Sequence, residues 1–169
     1  VTPFTKPDAK IDAFLSLARA VAAGGGTDAV FKAAEESFRA AIGFTLFTVM
    51  LYDEGHKNSV RFYSSDTGNY PVGGSKPMER NAYYQHVVLE GRAFVANTPD
   101  EWKPFYVDYE KVFALGLRSA VNVPIRLGGR TVGSVNILHS DRPFTNEDAT
   151  FGQGLATLLG TALGEIITA

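Results

Sequence analysis

Few side chains in this chain are spaced for covalent chemistry. None of the 169 residues is cysteine, which removes thiol nucleophiles, disulfides and cysteine-type zinc clusters together. The three histidines, His56, His86 and His139, and the run Ser64-Ser65-Asp66 stand in no nucleophile–base spacing. Asp53-Glu54 and Asp100-Glu101 are acidic pairs in expected loops, where carboxylates are ordinarily solvated. The chain does carry neutral hydrogen-bonding groups, Asn122, Ser134 and Asn136, inside two strongly apolar runs. Such groups orient a ligand in an apolar cup, so the chemistry expected is binding and not catalysis.

The elements that must hold these groups follow from periodicity. Ile11, Phe14, Leu15, Ala18, Val21 and Ala22 recur at helical spacing after a possible N-cap at Asp8, and Gly24-Gly25-Gly26 ends the pattern. A second helix is expected from Val30, Phe31, Ala34, Phe38, Ala41 and Ile42, closed by Gly43. Residues 44–52 and 60–63 read as antiparallel strands across Asp53-Glu54-Gly55. The glycine-, proline- and serine-bearing stretch 64–77 reads as a long loop bordering a site. A short helix through Tyr84, Val87 and Val88, a brief strand over 92–96 and an irregular helical lid over 99–116 follow. Gly128-Gly129 between the β-rich runs 118–127 and 130–138 is a hairpin signal. A C-terminal helix opens with Thr145 answered by Asp148 in a capping box. It carries two stripes, Phe151, Leu155, Leu158, Ala162 and Ile166 beside Leu159, Leu163 and Ile167. That width, with Gly160 and Gly164 on one face, suits packing on the first helix or on a second subunit.

The expected fold is α+β: a central antiparallel β-sheet with the N- and C-terminal helices on one face and short helices and loops capping the other. Residues 62–113 hold eleven of the twenty aromatic residues and are the available cap. Alternation places Val132, Ser134, Asn136 and Leu138 toward the cap, and Gly133, Val135 and Ile137 toward the helices with Val121, Val123 and Ile125. A plain Gly128-Gly129 turn opposes Val123 to Ser134, whereas a bulged three-residue loop opposes Asn122 to it. Burying Asn122 among Val135 and Ile137 would cost roughly 1–3 kcal/mol in unpaired amide groups, so the bulged hairpin is expected. Tyr84, Trp102, Tyr106 and Tyr109 are the cap's candidate ligand contacts, each with an apolar surface and a polar tip. Arg118 either meets an anionic ligand or pairs with Asp108 or Glu110.

Gly116-Leu117-Arg118-Ser119, Val123-Pro124-Ile125, Gly128-Gly129, Val132-Gly133 and Phe144 with Asp148 together resemble the signature of GAF domains, over roughly residues 26–166. The resemblance implies a small-molecule sensor, the fold alone leaving the ligand open. The cyclic-nucleotide branch uses an Asn-Lys pair and a final Glu that align here with His139, Ser140 and Ala149, so its ion pair cannot form. Bilin attachment by thioether and cysteine-based methionine sulfoxide reduction both need a thiol. Haem needs an axial histidine, for which His86 and His139 are the candidates. Cyclic nucleotide, bilin and haem are therefore all disfavoured as cofactors.

The expectation is a single GAF-like domain over 1–169, with an N-terminal helix in 1–24 and a core over 26–166. It holds a small organic ligand between sheet and aromatic cap, and signals through its terminal helices. The alternative is a ligand-free interaction module that forms a homodimer through those helices. A net charge of −2 argues against nucleic acid as a partner. The uncharged run 151–164 falls short of the ~20 residues a bilayer span needs, so no membrane contact and a cytoplasmic location are expected. The chain opens on Val1 and not Met, which reads as a processed or excised piece.

Overall fold

The computed structural model describes residues 8–167, with side chains as far as residue 164. Residues 1–7 of the expected N-terminal helical region, and the side chains of Ile166 and Ile167 in the expected stripes, lie outside what is described. Helix α1 (Ala9–Ala23) starts where the Asp8 carboxylate accepts the Lys10 N–H at 3.0 Å. It stops at Gly24, whose φ of +63° is a left-handed conformation that glycine takes without strain. Helix α2 (Thr27–Ala41) follows at once. The last helix, α5 (Asn146–Ile167), opens on the expected reciprocal cap: the Thr145 N–H donates to Asp148 Oδ2 at 2.9 Å and the Asp148 N–H to Thr145 Oγ1 at 3.1 Å. Asp148 is buried, and both of its carboxylate oxygens accept from Arg142 Nη2, at 3.1 and 3.0 Å, while Arg142 Nη1 donates to the Ile42 carbonyl at 2.8 Å.

Six strands form one sheet: β1 (Leu46–Tyr52), β2 (Asn58–Ser64), β3 (Gly73–Pro77), β4 (Phe94–Ala96), β5 (Ser119–Leu127) and β6 (Arg130–His139). Their order is β3-β2-β1-β6-β5-β4, and every neighbouring pair is antiparallel. The stretch expected to be loop throughout 64–77 thus supplies an edge strand, β3, at its end. The three long helices cover one face over a core that includes Phe31, Phe38, Phe47, Val123, Ile125, Leu155 and Leu159. The other face is covered by a π-helical segment (Tyr84–Leu89), α3 (Pro99–Trp102) and α4 (Tyr109–Ala114), over a second core with Val87, Phe94, Trp102, Leu117 and Leu138. No described helix is long and apolar enough to cross a membrane.

The β5–β6 hairpin corrects the expected register. Gly128 and Gly129, at φ +57° and +78°, close a two-residue turn with Leu127 opposite Arg130. The bulge lies further along: Arg126 faces Thr131 but Ile125 faces Gly133, leaving Val132 as the extra residue on β6. Asn122 is therefore opposite Asn136, and Ser134 is opposite Pro124. This register differs from the bulged-loop one by two residues, so the faces are unchanged, and Asn122, Ser134 and Asn136 share the side away from the helices. Val132 is the exception: the bulge turns it into the helix-side core instead of toward the cap.

Gly160 and Gly164 of α5 face the sheet. A Cβ on Gly160 would lie 3.1 Å from the Arg126 carbonyl oxygen and 3.2 Å from Ile125, and one on Gly164 would touch Leu127 at 3.5 Å. They let the end of β5 approach, while the expected packing on α1 is made elsewhere on α5, by Phe151 against Phe14 with ring centres 6.5 Å apart and by Gly154. Phe151, Leu158 and Ala162, the outer part of the wide stripe, are partly buried against the helix-side core of the same chain.

Gly133 has the least room of any strand glycine, because a Cβ there would stand 2.2 Å from the Met50 carbonyl oxygen in the neighbouring strand. Backbone cannot swing away as a flexible side chain would. Gly133→Ala is expected to destabilise the fold by about 2–3 kcal/mol, read as a lowered urea midpoint at unchanged slope.

Candidate functional site

On the face of the sheet away from the long helices, alternation along β1 brings Leu46, Thr48 and Met50 to the surface of a cavity, with Tyr52 at its end. Asn122 on β5 and Asn136 and Leu138 on β6 continue this floor. β2 and β3 contribute Ser59, Arg61, Lys76 and Pro77, and the following chain adds Met78, Glu79, Asn81 and Tyr83. The opposite wall is the segment Phe105–Asp108 with Val112 of α4. The cavity is open to solvent on one side and has a volume of about 200 Å³, below the ~300–1,000 Å³ of sites for drug-sized ligands.

The polar groups of the floor form one connected chain. The Tyr106 hydroxyl donates to Asn122 Oδ1, and Asn122 Nδ2 donates to Asn136 Oδ1. Asn136 Nδ2 reaches Thr48 Oγ1 at 3.4 Å. The Tyr83 hydroxyl spans from Asn136 Oδ1 at 3.5 Å to Ser134 Oγ at 3.0 Å, and Tyr52 donates to the same Ser134 oxygen at 2.9 Å. Tyr52 and Tyr83 also lie within hydrogen-bond distance of each other, at 3.1 Å. Ser134, fully buried, is the node beneath the floor and does not itself face the open space. Burial raises the pKa of Tyr83 above the usual phenol value and those of Tyr52 and Tyr106 well above it, so all three remain protonated donors at neutral pH.

Local turns place the outer wall. Asp66 accepts the Asn69 N–H at 3.1 Å and its amide at 2.8 Å, and its carbonyl accepts the Tyr70 N–H at 2.8 Å. This compact turn lays Tyr70 over the sheet between Arg61, 5.0 Å from the ring centre, and Lys111, at 4.5 Å. Phe105 is anchored by stacking on Phe94, with ring centres 3.9 Å apart. Asn97 ties the root of this wall to the long helix beyond it: its amide donates to the Phe144 carbonyl at 2.8 Å and accepts the Phe144 N–H at 2.7 Å.

Of the residues singled out by sequence, Tyr106, Asn122 and Asn136 line the cavity, with Ser134 bonded behind them. The other four stand elsewhere. Tyr84 packs in a separate cluster with Tyr52 and Val88, its ring under Arg80 at 3.9 Å. Trp102 is wholly buried in the second core, its indole N–H donating to the Ala96 carbonyl at 3.2 Å. Tyr109 lies outside, its hydroxyl 3.3 Å from Glu110. Arg118 pairs neither with Asp108 nor with Glu110: it caps the Phe113 and Leu117 carbonyls, both at 2.9 Å, over the Phe113 ring. Sequence reasoning passed over Thr48, Met50, Arg61, Tyr70, Met78, Tyr83 and Phe105. The alternation of β1 could have found Thr48 and Met50. Nothing local marks Tyr70 or Arg61.

None of the three histidines lines the cavity. His56 Nε2 meets the Thr131 carbonyl at 2.7 Å, His86 Nε2 the Ala93 carbonyl at 2.8 Å, and His139 Nδ1 accepts from the backbone of Asp141 and Arg142. Among the described residues no group of three or more histidine and acidic side chains could hold a metal ion. An axial-histidine haem therefore does not suit this cavity.

Comparison with known proteins places the geometry in context. Residues 27–164 match the family described as GAF domain. No curated protein matches the chain. Among solved structures, the GAF domain of an Acinetobacter phosphoenolpyruvate-protein phosphotransferase superposes with a TM-score of 0.77 at 12% identity, over 96% of this chain and 98% of that one. The corresponding domain from Coxiella burnetii gives 0.76 at 15% identity, over 95% of each chain. A far-red-absorbing dark state with bound biliverdin IXα gives 0.70 at 14% identity, over 93% of this chain and 99% of that one. At such identities the likeness shows the fold alone.

The buried phenols set a pH dependence. A fold that holds Tyr52, Tyr83 and Tyr106 above the unfolded value of 10.0 binds their protons more tightly than the unfolded chain does. Their contribution is complete below pH 10.0 and is lost as the pH rises further. The urea midpoint is expected to hold steady to about pH 9 and to fall beyond about pH 10, with phenolate absorbance from these residues growing only as the fold opens.

Proposed function

The chain belongs to the GAF domain family, and from that premise we propose that it is a sensory domain whose cavity takes a small organic molecule and reports it through the long helices. GAF domains are sensory and regulatory modules, and the biliverdin-bound neighbour shows one of this fold holding a ligand. Without cysteine, a thioether-linked chromophore is not the occupant here. The observation that carries the reading is the cavity itself: a mixed apolar and polar lining, a hydrogen-bonded polar chain across its floor, and a volume of about 200 Å³ that restricts it to a small metabolite.

Two contacts support a route outward. The Tyr106–Asn122 bond joins the cavity wall to β5, whose reverse face presents Val123 and Ile125 to the core beneath α5. The paired Asn97–Phe144 bonds join the start of α3 to the residue just before the α5 cap. A ligand that favours one arrangement of the wall would bias these contacts in proportion to its differential affinity for the two states.

A second reading, association through the helical layer, has its own observation. Ile11, Phe14 and Leu15 on α1 are 57%, 37% and 43% exposed, an apolar patch on the outside of that layer. It predicts that the chain is a dimer by light scattering and that Ile11→Asp with Leu15→Asp makes it a monomer of unchanged circular dichroism.

A thermal-shift screen against a metabolite library tests the sensory reading. A specific ligand at 100 times its dissociation constant stabilises by about 2.7 kcal/mol, a readily measured rise in melting temperature. Met50→Trp, which fills the space from its floor, is expected to abolish that rise while keeping a folded spectrum. A library that shifts nothing, or a shift that survives Met50→Trp, would remove the reading.

A further inference from the structure

A β-bulge aims Arg61 into the cavity. Val49 pairs with Tyr63 but Met50 pairs with Arg61, so Phe62 is the extra residue on β2. Unbroken alternation would have put Arg61 on the face of Tyr63, whose ring stacks on Phe31 of α2, with centres 5.6 Å apart. With the bulge it lies beside Met50 on the cavity side.

There the guanidinium is under-satisfied. One Nη donates to the Pro71 carbonyl at 3.2 Å, Nε is buried with no partner, and Arg61 belongs to no ion pair among the described residues. Its neighbour Tyr70 is 5% exposed, and its hydroxyl is also buried without a partner. Among the described residues the one other such atom is the Ser37 hydroxyl, on α2 at the far side of the sheet. The side chains that carry two of these three atoms, Arg61 and Tyr70, both line the same cavity and lie against each other. Burying such atoms unpaired is costly, and native structures rarely leave them so without a reason.

Their chemistry restricts the partner. An arginine N–H can only donate. Burial, reinforced by the nearby Asp108 carboxylate, raises the Tyr70 phenol to about 12, so at neutral pH it too has a proton to give. Two donors beside a guanidinium call for an anionic oxygen. The charged lining residues are Arg61 and Lys76 against Glu79 and Asp108, a balance that accommodates one negative charge better than two. Met50, Met78, Phe105, Val107 and Val112 offer apolar surface for the remainder of the molecule.

We infer that the ligand is a small monocarboxylate with an apolar or aromatic body, its carboxylate received by Arg61 Nε and the Tyr70 hydroxyl. This rests on the proposed role of the cavity as a ligand site and names the class of ligand it takes.

Titration calorimetry on the full chain with matched pairs tests it: phenylacetate against phenylacetamide, isovalerate against isovaleramide, indole-3-acetate against its amide, and phenyl phosphate as the dianion. At least one acid is expected to bind roughly tenfold to hundredfold more tightly than its amide, the range for a hydrogen-bonded charge. Arg61→Met and Tyr70→Phe, which remove the orphaned atoms and keep most of the apolar stem or ring, should each bring the acid down to the level of the amide and leave amide binding unchanged. Amides that bind as well as their acids, phenyl phosphate binding above phenylacetate, or an acid preference that survives both variants would overturn the inference and leave the cavity reading standing. If neither acids nor amides bind, the inference is overturned, and the cavity reading fails with it only if the metabolite library also produces no thermal shift.

Discussion

A buried amide has to be hydrogen-bonded, and Asn122, only 1% exposed, stands in the middle of a strand whose other side is packed under a helix. The register that places it directly across from Asn136 meets that requirement within the sheet face itself. From this pair the polar chain runs outward to Tyr106 in one direction and to Tyr83, Ser134 and Tyr52 in the other. A network of this kind is favourable only when every member is satisfied. Three tyrosines from three separate segments must therefore converge on two strands. That convergence holds the wall near Tyr106 and the chain near Tyr83 over the sheet, and the space left between them is the cavity.

The two faces of the sheet obey different rules. Toward the long helices the contacts are apolar and closely packed, and the glycines of α5 exist to let that packing close: Gly152 sits against Phe38, Ile42 and Val123, and Gly160 against β5. Such a core transmits displacement because it has no slack to absorb it. The other face mixes fixed hydrogen bonds with open volume, and its wall is made of short helical pieces tied down at a few points. On the proposed sensory reading, β5 and Asn97 are the contacts by which a change of occupancy on the loose side would reach the tight side.

Two bulges decide which side chains take part. The one at Val132 sends an apolar residue into the helix-side core, and the one at Phe62 sends a charged residue out of it and into the cavity. Each adds one residue to one strand and exchanges the faces of everything beyond it. Without the second, Arg61 would lie on the helix side with Tyr63, whose ring stacks on Phe31. The bulge turns Arg61 to the cavity side instead, where its Nε–H is buried.

Local pattern by itself determined the helices with their caps at Asp8 and Thr145, a hairpin at Gly128-Gly129 though not its turn or register, the antiparallel α+β class, and the common face of Asn122, Ser134 and Asn136. Each of these depends on residues a few positions apart, where spacing and side-chain chemistry leave little choice. The family resemblance added that the chain is a GAF domain. Tertiary structure alone decided that Trp102 is core and Tyr106 is wall, that Arg118 spends its hydrogen bonds on nearby carbonyls, and that Arg61 and Tyr70 meet. Aromatic residues at one helical spacing serve equally as filling or as lining, and the difference lies in which strand passes beneath them. Bulges arise from the fit between two paired strands and the layers packed on each face, so the pattern of one strand alone does not locate them.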